Sequence, residues 1–130
     1  MLCPCGSTAA YSSCCGLYIE GTVIAGTPEV LMRSRYTAYT LAKVSYIKRT
    51  MRGNALVGFN AGEAKRWARR VSWTGLQIIN AFNEHADKGF VEFIARFQDG
   101  EHMQSIHEVS EFQRVQGVWF YVDGTYRSSN

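Results

Sequence analysis

The sequence predicts an α+β fold: helices cradled by a four-stranded antiparallel sheet, preceded by a small cysteine-rich hook. Three observations carry this expectation. Residues 17–71 show a helical period, residues 72–126 switch to a period of two, and all four cysteines crowd into the first fifteen positions. Helices first and strands after imply a segregated α+β arrangement in which the sheet wraps the apolar stripe of the helices.

The hook comes first. Cys3, Cys5, Cys14 and Cys15 are the only cysteines of the chain. Disulfides suit them poorly, because adjacent and next-but-one cysteines cannot reach relaxed bridge geometry. Cross-pairing between the two halves is possible on geometry, but a reducing compartment opposes it. A redox role would call for CxxC spacing, which is absent. Two thiolates on one short segment and two on another can converge tetrahedrally on a metal at about 2.3 Å, and four soft sulfurs in a lone mononuclear site favour zinc. Gly6 and Gly16, each directly after a pair, let the backbone turn so that amides can point at the sulfurs. Four protein ligands fill the coordination sphere, so one structural zinc ion is expected and no metal catalysis.

The main helix is marked by Thr27 as cap, Pro28 at the first helical position and Glu29 in the first turn. Leu31, Met32, Arg35, Tyr36, Tyr39 and Ala42 then share a stripe. A second helix is expected over Val44–Met51, ending near Gly53. A third begins at Asn60, with Glu63 in capping-box position, and runs to about Val71.

Four strands follow. Leu76, Ile78 and Phe82 alternate in the first, which turns through Glu84–Gly89. Val91, Phe93, Ala95 and Phe97 mark the second, and Asp99-Gly100 is a hairpin signal. The third covers about Met103–Val115, and Gln116-Gly117 leads into a fourth over Val118–Asp123.

Composition narrows the function classes. With 130 residues, 46% apolar and 19% charged, the chain can bury its own core and is neither fibrous nor disordered. No apolar run approaches the roughly 20 residues of a membrane span, so no membrane association is expected. The start, Met1-Leu2-Cys3-Pro4, lacks a basic and apolar leader, and a cytoplasmic setting is expected. Charge is uneven. Residues 1–72 hold ten basic against three acidic residues (+7), and residues 73–130 hold four against eight (−4). Lys65, Arg66, Arg69 and Arg70 leave room for weak nucleic-acid binding, with a solvated helix face as the plainer alternative.

Strand parity points to an interior polar spot. Glu108 and Ser110 share a face with Phe112 and should point inward, while His107 points away. Trp119, Tyr121 and Asp123 share a face of the last strand, with Phe120 and Val122 opposite, and either set could line the concave side. Arg35, on the helix stripe, is the expected cation for Glu108, since an unpaired buried charge is costly. The pocket candidates are therefore Arg35, Glu108, Ser110 and Asp123. Their pairing reads either as a structural link between helix and sheet or as the floor of a ligand cavity, where Glu108 could bind a cationic group or act as a base.

The hook, Cys3-Pro4-Cys5-Gly6-Ser7, then Tyr11, then Cys14-Cys15-Gly16, resembles the SEC-C motif, a small zinc module known from the tail of the bacterial translocation motor SecA. It departs from that family's usual lysine-rich loop, because Thr8-Ala9-Ala10 and Ser12-Ser13 are neutral. The stretch Leu31–Tyr39, then Phe93-Ile94-Ala95-Arg96-Phe97, then His107-Glu108 with Ser110 and Phe112, and Gly117 with Trp119, Tyr121 and Asp123-Gly124, resembles the bacterial YchJ-like family. Where many members have Trp-His-Pro after the second helix, this chain has Met51-Arg52-Gly53, and it reaches Asn130 without the second SEC-C module that many members carry. The resemblance implies a nuclear-transport-factor-2-like cone over residues 17–130 behind a zinc knuckle at residues 1–16. Together these readings favour a zinc-binding, non-enzymatic adaptor that meets a protein partner through the knuckle. The alternative is a small-molecule-binding or enzymatic cone protein using the Glu108–Arg35 pocket.

Overall fold

The computed structural model describes residues 1–21 and 23–127. Its helices are α1 (Gly16–Ile19), α2 (Pro28–Thr40), α3 (Val44–Arg49) and α4 (Ala61–Arg70), and its strands are β1 (Ser72–His85), β2 (Lys88–Asp99), β3 (His102–Val115) and β4 (Val118–Tyr126). The four strands form one antiparallel meander in the order β1-β2-β3-β4. Helices therefore precede strands, as the change of period predicts. No helix among the described residues is long and apolar enough to cross a membrane.

Local chemistry sets the helix bounds. The Thr27 hydroxyl accepts the Val30 amide at 3.1 Å with Pro28 at the first position, and the Asn60 side chain accepts the Glu63 amide at 2.9 Å. α2 ends at Thr40, two residues before the expected Ala42, which takes a left-handed φ of 56° beyond the helix. α3 is also shorter than expected: Met51 leaves it to bridge Tyr121 in parallel, with the Tyr121 amide donating to the Thr50 carbonyl.

α2 is the central element and packs on α1, α3, α4, β1, β2 and β4. Leu31, Met32, Tyr36 and Ala38 are buried with Val91, Phe93, Ala95, Phe112 and Trp119 from the sheet. The second strand alternates as expected, with Val91, Phe93, Ala95 and Phe97 all inward. The first does not. Its pairing with β2 has three register shifts, and the one between Ile78 and Asn80 reverses the alternation, so Ala81 faces Val91 while Phe82 is 49% exposed and stacks on Phe90. The bulges also let the sheet curve around α2. β4 runs three residues past its expected end at Asp123.

Candidate functional site

Two constellations lie on different faces of α2. The first is the cysteine hook. Met1–Cys3 folds back on Ala9–Tyr11 through a bridge of Leu2 with Ala10 and the Cys3 amide on the Ala9 carbonyl at 2.8 Å. A single 3₁₀ turn, Tyr11–Ser13, then returns the chain to Cys14 and Cys15. The two cysteine pairs meet: all four sulfurs lie within 4.8 Å of one another, and Cys5 and Cys14 Sγ are 3.7 Å apart. The edge of a tetrahedron with metal–sulfur bonds of about 2.3 Å is about 3.8 Å, so these four cysteines fit one metal ion.

The flanking glycines serve different ends. Gly6 takes φ +84°, which the tight turn requires, and its amide donates to the Cys3 carbonyl instead of to a sulfur. Gly16 has no such φ; a Cβ there would lie 2.7 Å from the Tyr11 carbonyl oxygen and 2.9 Å from its ring. The amides aimed at sulfur are those of Cys5 and Cys15, both toward Cys3. The Cys3 thiol is pulled down to about 7: burial pushes it up, but these amides and the Cys15 and Thr37 side chains outweigh burial. Cys14 and Cys15 are pushed up, by burial first and also by neighbouring sulfurs. Four crowded sulfurs cannot all ionise alone, and a divalent cation is the counter-charge such a cluster lacks.

The hook is tied to α2. Arg33 donates to the Cys5 carbonyl at 2.9 Å and to Glu29 at 3.0 Å, and the Thr37 hydroxyl lies 3.7 Å from Cys3 Sγ. Cys3, Cys5 and Cys15 are buried in the same cluster as the α2 stripe. From the other side, Arg49 of α3 donates to the Ile19 carbonyl at the end of α1 at 3.2 Å.

The second constellation is a cavity of about 180 Å³ between α2, α4 and the concave sheet. Aromatic side chains make most of its wall: Tyr36, Tyr39, Trp67, Trp73, Phe93 and Phe112. Trp67 and Trp73 meet edge to face at 5.0 Å, and Tyr39 packs on both at 6.0 Å. The indole N–H of Trp73, like that of Trp119, is buried without a hydrogen-bond partner.

Arg35, Glu108 and Ser110 all line this cavity and are all buried. The expected direct Arg35–Glu108 contact is absent. Arg35 donates to the Ile47 carbonyl at 2.8 Å and to the Thr50 hydroxyl at 2.6 Å, with its guanidinium 4.6 Å from the Tyr121 ring centre. Glu108 Oε2 accepts from the Ser110 hydroxyl and, at 3.0 Å, from the Tyr121 hydroxyl. Tyr121 thus stands between cation and acid, offering its face to one and its hydroxyl to the other. Burial, Glu108 and the bond to Glu108 push the Tyr121 hydroxyl pKa far up, so it stays protonated and donates.

Asp123 is a correction. A register shift between Glu111 and Phe112 pairs Phe112 with Tyr121 but Glu111 with Asp123, leaving Val122 as the extra residue. The parity of β4 reverses there, and Asp123 sits outside, 3.4 Å from Asn54 Nδ2 and beside Arg52 and Glu111. The inner position opposite Ser110 passes to Gly124, where a Cβ would lie 2.5 Å from the Tyr121 hydroxyl and 2.6 Å from Glu108 Oε2. Sequence reasoning missed Gly124 and the bridging role of Tyr121; a glycine late in a strand is the signal that marks such a bulge.

Other singled-out residues lie elsewhere. His107 points to the convex face, as parity predicts, and meets Glu92 at 2.7 Å. Lys65, Arg66, Arg69 and Arg70 form the exposed face of α4, Arg70 pairing with Asp99 at 3.3 Å.

Comparison with known proteins agrees with the fold and with the cysteine hook. The family model described as "YchJ, middle NTF2-like domain" matches residues 27–124. A UPF0225 protein of Geobacter sulfurreducens is 41% identical over 125 residues, covering 95% of this chain and 78% of that protein. A SEC-C motif containing protein from Rhodopseudomonas palustris superposes with a TM-score of 0.88 at 36% identity, covering 98% of this chain and all of the other. One from Psychrobacter arcticus gives 0.84 at 27%, covering 100% and 85%. With its cysteine hook ahead of a curved sheet that holds α2, the chain belongs to the YchJ-like family, in the SEC-C-plus-NTF2-like arrangement.

Proposed function

We propose that the chain is a zinc-binding, non-enzymatic interaction module in which a knuckle of residues 1–16, borne on a cone domain of residues 17–130, meets a protein partner. The observation that carries this reading is the convergence of four cysteine sulfurs within 4.8 Å. Four thiolates saturate a tetrahedral zinc ion, so the ion stiffens the hook and offers no position to a substrate. Zinc suits the all-sulfur donor set, and the two solved neighbours are themselves described as SEC-C motif proteins. A cytoplasmic, reducing setting keeps the thiols available to the metal.

The partner is read as protein because the hook is apolar at its rim. Met1 and Leu2 are 77% and 69% exposed, and the loop over residues 7–13 carries no charge. Small exposed apolar groups on a rigid support suit a protein contact better than a phosphate backbone. The test compares the intact, zinc-loaded protein with Leu2→Ser in affinity capture from native lysate. A partner held by the intact protein and lost with Leu2→Ser, at unchanged zinc content and melting, supports the reading. Equal capture by both overturns it.

A further inference from the structure

We propose that the cone cavity is a binding site for a single-ring aromatic molecule carrying one hydrogen-bond donor, a phenol or its amine counterpart. The inference concerns the second constellation and stands independently of the knuckle's partner.

Four features select this class. Size comes first: about 180 Å³ exceeds the roughly 150 Å³ that accommodates benzene in an engineered cavity, and leaves space for one substituent. The wall comes second. Tyr39, Trp67 and Trp73 line it as a cluster of rings packed edge to face, a setting in which another flat ring packs well. The third feature is the acid. Both side-chain hydrogen bonds to Glu108 land on Oε2, which leaves Oε1 free to accept from a molecule in the cavity. A donor from a bound molecule completes it. The fourth is charge. Arg35 lines the same cavity, so a cationic ligand would meet a guanidinium, and an anionic one would meet Glu108. A neutral ring with an O–H or N–H avoids both. Two lining residues reach solvent: Tyr126, paired with Glu108 in the ladder and 73% exposed, and the half-buried Ile106.

The test titrates the full chain with phenol and, separately, with toluene, which matches its size and lacks the donor. The readout is the NMR shift of the Trp67 and Trp73 indole signals, with calorimetry for affinity. Phenol should bind saturably and at least tenfold more tightly than toluene, because only phenol can donate to Glu108 Oε1. Glu108→Gln should shrink that ratio below threefold. Ile106→Phe, placed at the partly exposed mouth, should abolish binding of both probes while the circular dichroism and melting curve stay native; it keeps the test decisive if the Glu108 variant does not fold. The proposal is overturned if phenol gives no saturable shift, if toluene binds equally well, or if the folded Ile106→Phe protein binds phenol as the parent does.

Discussion

The hook and the cavity handle buried charge in opposite ways, although both lean on α2. In the hook, four acidic sulfurs are gathered with no protein cation among them; Arg33 spends its bonds on the Cys5 carbonyl and Glu29. A metal ion could supply the opposing charge. In the cavity the acid and the base are both internal, yet they do not touch: Glu108 takes neutral hydroxyl donors, Arg35 takes a carbonyl and a hydroxyl, and Tyr121 lies between them. The first arrangement suits an external metal ion. The second needs no cation from outside the chain.

The largest expected effect separates the two regions outright. Cys15→Ser, or a strong chelator, should strip the metal and cost on the order of 4 kcal/mol or more of stability. Metal analysis by emission spectrometry with thermal melting checks this, and a chelator-insensitive melting curve would contradict it. The same region should respond to pH. In the metal-free hook Cys14 and Cys15 are pushed up and hold their protons at neutral pH. Metal uptake must release protons, so affinity rises with pH and falls on acidification. Calorimetry in two buffers of different ionisation enthalpy measures that release; a value of zero would contradict the assignment.

Next in size is Glu108→Ala. It strands the Tyr121 and Ser110 hydroxyls in the core and should cost about 2–4 kcal/mol in chemical denaturation, with metal content unchanged. Gly124→Ala should cost about 1–3 kcal/mol, because its Cβ needs the space of the Tyr121 and Glu108 oxygens. An unchanged denaturation midpoint would show that the floor can shift at no cost. Thr27→Ala should be smallest, about 1 kcal/mol, and should lower stability with and without metal alike, since the cap serves the helix that both regions share.

Much of this was legible in the sequence where chemistry is local. Thr27-Pro28 and Asn60–Glu63 mark helix starts through hydrogen bonds that span three residues, and the Asp99-Gly100 turn fixes its hairpin. The spacing of the four cysteines points to a cluster able to hold a metal, and their sulfurs do converge. Legibility fails where one residue changes the count. The extra residue at Val122 turned Asp123 outward and brought Gly124 in, and the shift between Ile78 and Asn80 did the same to Phe82. Parity also placed Arg35 and Glu108 in one interior but could not give the distance between them, because that depends on a third side chain from another strand.

Gly124 has a consequence for reading other members of the family. Its missing side chain is the room in which the acid and the phenol of Tyr121 meet. A homologous chain with a bulkier residue at that place must have surrendered one of the two, or moved the strand. That single position therefore serves as a marker, readable without coordinates, of whether a given relative has kept the polar floor of its chamber.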